Sequence, residues 1–100
     1  MPQVLVVAGS DSSGGAGLEA DQKVLAAHGC YAMTATTALT AQNTLGVQDI
    51  RVTPPSFVAK QINACLDDIK ADVVKIGKVF LDDEIFCLTH WQACWLLLRR

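Results

Sequence analysis

The chain begins with a clear change from apolar to polar positions. Residues 4–8 form a continuous β-branched-rich apolar run, which predicts a strand buried on both faces, as in a parallel sheet. Glycine, serine and aspartate at residues 9–15 predict a loop. A helix is predicted over residues 16–27, with Gly29 as its stop. The first part of the chain is therefore a strand, a glycine-rich turn and a helix.

The middle of the chain repeats this alternation of elements. Residues 33–42, rich in threonine and alanine, predict one strand with Gln42 at its carboxyl end, where open α/β sheets bind ligands. Residues 47–52 alternate and predict a short edge strand, a helix follows from Pro55 or Ser56 to about residue 69, and residues 73–76 predict a last strand. This order predicts an α/β sandwich with a mainly parallel sheet.

Composition narrows the class of protein. The chain is 51% hydrophobic and 18% charged with a formal net charge of −2, which is typical of a globular protein. No Lys/Arg cluster occurs before Arg99 and Arg100, so no nucleic-acid partner is predicted. Four cysteines without a secretory signal predict free thiols in a reducing, cytoplasmic location. The interrupted apolar stretch at 85–98 is too short to predict a membrane span.

The loop at residues 9–15 is open to several interpretations. Gly9 and Gly14 have the spacing of a Walker A motif, but Gly15 and Ala16 stand where lysine and serine or threonine are required. A dinucleotide fingerprint starting at Gly15 lies too far past the strand and lacks its later carboxylate. Two alternatives stay open: a cradle of backbone amides for a ligand, and a tight turn without one. Asp11 is predicted to cap the first helix.

One carboxylate lies on the apolar side of the first helix. Leu18, Asp21 and Leu25 share a face at helical spacing, with Val24 beside them. A carboxylate in such a stripe costs free energy unless something pairs with it. Asp21 is therefore a candidate for ligand contact, although a bond to a loop amide would also satisfy it.

Two separated motifs carry a family resemblance. AGSDSSGGAGLEADQK at residues 8–23 and TALTAQNTLGVQ at residues 37–48 resemble the N-terminal part of the hydroxymethylpyrimidine/phosphomethylpyrimidine kinases, which belong to the ribokinase-like superfamily. Residues 54–69 and 72–77 support the resemblance, which covers about residues 3–77. It implies a ribokinase-like, Rossmann-like α/β sandwich that is incomplete in this chain.

The resemblance also implies an activity and a site. Members of the family phosphorylate 4-amino-5-hydroxymethyl-2-methylpyrimidine and then its monophosphate, with ATP as co-substrate and Mg²⁺ as metal. The positions that match the family's pyrimidine contacts are Gly9, Asp21 and Gln42, and Ala16 and Thr40 are expected to line the same pocket. A side-chain amide and a carboxylate can together pair with the amino group and ring nitrogens of a heterocycle. The expected partner is this small molecule, and self-association is left open.

The resemblance ends after Gly77. The family usually has methionine at the next position, where this chain has Lys78, and its Gly-Thr-Gly-Cys loop for phosphoryl transfer is absent. Residues 1–77 are therefore predicted to be the N-terminal part of a kinase domain, and residues 78–100 a divergent, helical tail. No catalytic residue and no ATP-binding residue is predicted. The 100 residues alone are expected to be catalytically incompetent.

The tail carries two further patterns. Asp82, Asp83 and Glu84 suit the first turn of a helix. Cys87, His90 and Cys94 would share a helix face, but a structural zinc site needs a fourth ligand, so apolar packing is predicted and no metal site.

Two rival functions remain. A pyridoxal or pyridoxamine kinase of the same superfamily is disfavoured, because the stretch TALTAQNT matches the pyrimidine kinases better. The other rival is a non-catalytic binding or regulatory fragment, which could pair with a full-length subunit through apolar surface that a missing half of the sheet would leave exposed.

Overall fold

The computed structural model describes residues 1–77 and the backbone of two short strands at 80–81 and 84–85. Strands and helices alternate along the first part of the chain. The elements in order are β1 (Gln3–Ala8), α1 (Gly17–Ala27), β2 (Tyr31–Thr36), β3 (Ala38–Asn43), β4 (Gly46–Val52), α2 (Pro55–Asp68), β5 (Val73–Ile76), β6 (Phe80–Leu81) and β7 (Glu84–Ile85).

Strand β1 is the centre of a three-stranded parallel sheet. The strand order is β2-β1-β5, and Val4 lies between Ala32 on one side and Val73 on the other. Parallel neighbours need crossover connections, and helix α1 supplies the one from β1 to β2. The α/β class and the mainly parallel sheet are confirmed.

Both faces of β1 are buried, as predicted. On one face Val4, Val6 and Ala8 pack with Leu18 of α1. On the other face Leu5 and Val7 pack in a cluster that α2 completes with Ile62. The sheet therefore lies between two helices, and this arrangement explains why β1 has an uninterrupted apolar sequence.

The single strand predicted over residues 33–42 is wrong. The Thr37 N–H donates to the Ala8 carbonyl at 2.9 Å, and the Thr37 carbonyl accepts from the Thr53 N–H at 2.9 Å. Strand β2 ends before this residue, and the chain leaves the parallel sheet. Strand β3 pairs with β4 in a separate antiparallel sheet. Gln42 consequently lies in a hairpin rather than at the carboxyl end of a parallel strand.

The predicted helices are present with small shifts. Helix α1 begins at Gly17, with Ala16 as its N-cap, and α2 ends at Asp68. Val24, expected beside the apolar stripe of α1, faces solvent instead, since it is more than half exposed. Neither described helix has the length and apolarity that crossing a bilayer requires.

The predicted tail is described only in part. Strands β6 and β7 form a two-residue antiparallel pair, so Glu84 lies in a strand and not in the first turn of a helix. Lys78 and the set Cys87, His90 and Cys94 lie outside the described residues. Cys30 and Cys65, in the part described, are free thiols.

Candidate functional site

The loop between β1 and α1 folds back on its own beginning. The Leu18 N–H donates to the Gly9 carbonyl at 2.9 Å, and Ser10 forms an isolated antiparallel bridge with Gly17. Gly17 has a φ of +59°, and a β-carbon there would lie 2.2 Å from the Gly9 oxygen. Only glycine fits this position without moving the backbone.

Asp11 organises the inside of this loop. Its carboxylate accepts hydrogen bonds from the Ser13 hydroxyl at 2.7 Å, from the Ser13 N–H at 2.9 Å and from the Gly15 N–H at 3.0 Å. These bonds, the Ser13 hydroxyl first, hold the pKa of Asp11 below its ordinary value. The predicted helix cap is wrong, because the N-cap of α1 is Ala16 and has no side-chain hydrogen bond.

Glu19, in the first turn of α1, fixes the start of the loop. Its carboxylate accepts from the Ser10 hydroxyl at 2.7 Å and from the Asp11 N–H at 2.8 Å. Burial alone would raise the pKa of Glu19, but these two hydrogen bonds outweigh it and lower the pKa below the ordinary value. The loop is therefore bound to α1 by an ionised carboxylate.

Strand β3 holds the other side of the loop. The Ser10 N–H donates to the Ala38 carbonyl at 2.8 Å, and the Thr40 hydroxyl donates to the Ser10 carbonyl at 2.8 Å. The Ser12 hydroxyl donates to the Gln42 carbonyl and accepts from the Gln42 N–H, both at 2.7 Å. The loop thus joins α1 to the hairpin.

Four of the five residues predicted for the site meet at this loop. Gly9 starts it, Ala16 ends it, and Thr40 and Gln42 contact it from β3. The Thr40 hydroxyl also lies 3.3 Å from the Gln42 Oε1 atom. Thr40 and Gln42 are half-buried on the inner side of β3, while Ala16 is exposed.

Asp21, the fifth residue, has a partner on another strand. Its Oδ1 atom forms an ion pair with the Lys75 ammonium group of β5. The Asp21 side chain is only 18% exposed, which explains how a carboxylate is tolerated beside the apolar stripe of α1.

A buried hydroxyl lies beneath the loop. Thr37 is 1% exposed, and its Oγ1 atom has no hydrogen-bond partner among the described residues. A β-carbon at Gly9 would lie 3.9 Å from this oxygen. Sequence reasoning missed Thr37, Ser12 and Glu19. Only Glu19 had a usable signal, since a carboxylate in the first turn of a helix is well placed to accept hydrogen bonds from nearby amides.

The loop does not fit a nucleotide phosphate. The N–H groups of Ser10, Asp11, Ser13, Gly14 and Gly15 all donate within the protein. The carboxylates of Asp11 and Glu19 would repel an anion placed there. These five N–H groups are therefore not free to bind a ligand, and the interpretation of the loop as a cradle of backbone amides is wrong for them. Within residues 1–77, no cluster of His, Cys, Asp and Glu side chains has the geometry to hold a metal ion.

Comparisons with known proteins agree with this fold. The family model for phosphomethylpyrimidine kinase matches residues 11–93, which extends beyond Gly77. The chain is 54% identical over 77 residues to the thiamine biosynthetic bifunctional enzyme TH1, chloroplastic, of Arabidopsis thaliana. That alignment covers 77% of the chain and 15% of the relative, so the chain spans about one-seventh of the relative's length.

Solved structures give the same assignment. The phosphomethylpyrimidine kinase of Clostridium difficile is 47% identical with a TM-score of 0.78, over 81% of this chain and 35% of that one. The pyridoxal kinase of Staphylococcus aureus is 33% identical with a TM-score of 0.72, over 81% and 30%. Both are ribokinase-like kinases, which confirms the fold predicted from the two motifs. The chain belongs to the phosphomethylpyrimidine kinase family.

Proposed function

We propose that this chain binds the acceptor substrate in an ATP-dependent kinase of thiamine biosynthesis. The substrate is 4-amino-5-hydroxymethyl-2-methylpyrimidine, followed by its monophosphate. The observation that carries the proposal is the junction of the loop with β3, which gathers Gly9, Thr40 and Gln42 around one small region. The names of the relatives supply the reaction type.

Each residue has a distinct part in this proposal. The Gln42 side-chain amide offers one donor and one acceptor to the edge of the pyrimidine ring. The ion pair with Lys75 uses the Oδ1 atom of Asp21. In this proposal the other carboxylate oxygen is left to accept a hydrogen bond from the exocyclic amino group. Gly9 leaves room for the ring, and Ala16 and Thr40 line the space beside it.

The co-substrate ATP and its Mg²⁺ ion are assigned to other residues. Five of the loop amides already donate within the protein, and the carboxylates of Asp11 and Glu19 lie beside them, so no phosphoryl-transfer step is assigned to the loop. We expect the ATP-handling residues outside those described, which agrees with the greater length of the relatives. The division at Gly77 into a kinase part and a tail stays a prediction.

Calorimetry on the 100-residue chain tests the acceptor site. The aminopyrimidine is expected to bind more tightly than pyridoxal. Gly9→Ala is a sharp probe, because the added β-carbon meets only Ala38 O at 3.7 Å and Thr37 Oγ1 at 3.9 Å and leaves the fold intact. We expect this variant to bind the aminopyrimidine at least about tenfold more weakly than the unchanged chain does. An unchanged affinity would remove Gly9 from the site.

A kinase assay with Mg·ATP tests whether the ATP site lies outside the described residues. The chain is expected to bind the acceptor without phosphorylating it. Turnover by the purified chain would contradict this expectation. It would show that the 100 residues contain a complete ATP site. If the chain bound neither the aminopyrimidine nor pyridoxal, the result would favour the rival function, which is a non-catalytic fragment that pairs with a full-length subunit.

Pyridoxal kinase is the second candidate. The likeness to the Staphylococcus aureus pyridoxal kinase supports it, although its TM-score of 0.72 is below the 0.78 of the phosphomethylpyrimidine kinase. Tighter binding of pyridoxal than of the aminopyrimidine in the same titration would select it.

We propose a reducing, cytoplasmic location for this chain. Cys30 and Cys65 are free thiols, which is the expected state of cysteines there. Self-association of the chain is left open, and sedimentation velocity measures it directly.

A further inference from the structure

Ser12 makes an unusual contact with the residue proposed to read the substrate. Its single hydroxyl group donates to the Gln42 carbonyl and accepts from the Gln42 N–H, both at 2.7 Å. These residues are separated by 30 positions, and the contact joins the loop to β3. Both main-chain polar groups of Gln42 are therefore held by one side chain.

The contact lies where the hairpin loses its regular pairing. Ala41 is opposite Asp49, but Gln42 is opposite Val47, so Gln48 of β4 is left without a counterpart on β3. Such irregularities bend a strand and redirect its side chains, often beside active sites. The Ser12 hydroxyl bridges the backbone of β3 at this irregular point.

Hydrogen bonds hold the loop backbone on both sides of Ser12. On one side Glu19 binds Ser10 and the Asp11 N–H. On the other side the Asp11 carboxylate binds Ser13 and Gly15. Ser12 stands between these two fastened segments, so its hydroxyl has little freedom to follow a movement of Gln42.

We propose that Ser12 is a positioning residue, which fixes the backbone of Gln42 and so aims its side-chain amide at the substrate ring. The proposal rests on the proposed function, because it assigns Gln42 to the aminopyrimidine. Ser12 itself need not touch the ligand. It acts on specificity: a Gln42 amide held in one orientation rejects rings that leave its donor or acceptor unpaired.

A double-mutant cycle on the full 100-residue chain tests this. Ser12→Ala removes both bonds to the Gln42 backbone and should weaken aminopyrimidine binding about fivefold, because the side-chain amide is then no longer held in one orientation. It should also reduce the preference for this ligand over the analogue that lacks the 4-amino group. In a Gln42→Ala background, Ser12→Ala should have no further effect, because the two residues act together.

Two variants complete the cycle. Ser12→Thr keeps the hydroxyl and should restore both affinity and preference. Ser13→Ala removes the neighbouring hydroxyl, which contacts Asp11 and has no bond to β3, and should change affinity less than about twofold. If Ser12→Ala weakened binding equally with and without Gln42, the role would be structural and the proposal would be overturned.

A readout without ligand separates this proposal from the proposed function. Hydrogen exchange at the Gln42 amide should become faster in Ser12→Ala and stay unchanged in Ser13→Ala. A wild-type chain that bound no aminopyrimidine would overturn the proposed function, and the substrate role of Ser12 with it. A wild-type chain that bound it, with affinity and exchange unaltered in Ser12→Ala, would overturn the Ser12 proposal alone.

Discussion

The carbonyl oxygen of Gly9 occupies the space that a side chain at Gly17 would need. A β-carbon there would lie 2.2 Å from this oxygen, and the Gly17 φ is +59°. Gly17→Ala is therefore expected to lower the free energy of unfolding by about 2 kcal/mol or more, from backbone strain and the clash together. Urea denaturation measures the difference.

Gly29→Ala is the matched control for this prediction. Its φ of +72° is similarly strained for alanine, but no atom lies within 4 Å of the added β-carbon. The expected loss is about 1 kcal/mol, from strain alone. Equal losses for the two variants would show that the contact with Gly9 contributes nothing.

The parallel core could be predicted because its signal is local. A run of β-branched residues such as 4–8 is typical of a strand buried on both faces, and the helices show their own period. The break at Thr37 could not be predicted in this way. Two backbone bonds, to Ala8 and from Thr53, create it, and no composition change marks the residue.

Two threonines provide a contrast in hydrogen bonding. The buried Thr37 hydroxyl has no partner among the described residues, so Thr37→Val removes no bond and should leave the free energy of unfolding equal or up to about 1 kcal/mol higher. Thr40→Val removes the donor to the Ser10 carbonyl and should lower it by about 1 kcal/mol. Thermal or urea unfolding distinguishes them. A clear loss in Thr37→Val would reveal a hidden partner.

Acid should weaken the fold through Glu19. The hydrogen bonds from Ser10 and Asp11 keep the pKa of Glu19 lower in the folded than in the unfolded chain. The folded state then binds fewer protons, so its extra stability is complete above the unfolded pKa and is lost as the pH falls through the folded pKa. Unfolding should therefore become easier below about pH 4.3, the ordinary value for a glutamate.

Urea denaturation across this range isolates the Glu19 contribution. Glu19→Gln removes the titrating group and should flatten the decline of stability with falling pH. Asp67→Asn, which removes an exposed carboxylate from α2, serves as the control. An identical slope in wild type and Glu19→Gln would assign the acid sensitivity to other carboxylates, of which Asp11, with its lowered pKa, is the first to examine.

The ion pair between Asp21 and Lys75 should matter more for binding than for stability. The Lys75 side chain is 56% exposed, so Lys75→Met should change the free energy of unfolding by less than about 1 kcal/mol. The same variant should weaken aminopyrimidine binding, because Asp21 loses the partner that orients it. Calorimetry beside urea denaturation gives both numbers, and Lys75→Arg should keep much of the affinity. A stability loss without any change in affinity would place the pair outside the site.

The candidate site was only partly predictable for a related reason. Gly9, Thr40 and Gln42 could be proposed because they stand in the motifs that resemble the family. Ser12 bonds to the backbone of Gln42 across 30 positions, and Glu19 bonds to Ser10 across 9 positions. Such bonds depend on how the loop packs against the hairpin. The periodic pattern of apolar positions contains no information about this packing.

The central position of β1 also sets the order in which the protein can form during synthesis. Its pairing with β2 joins residues about 28 positions apart, but Val4 pairs with Val73 on the other side. While the ribosome is still making α2, one edge of β1 has no neighbour, and an unpaired apolar edge is prone to association with other chains. A nascent chain halted before β5 should therefore bind chaperones more strongly than one that has emerged beyond it.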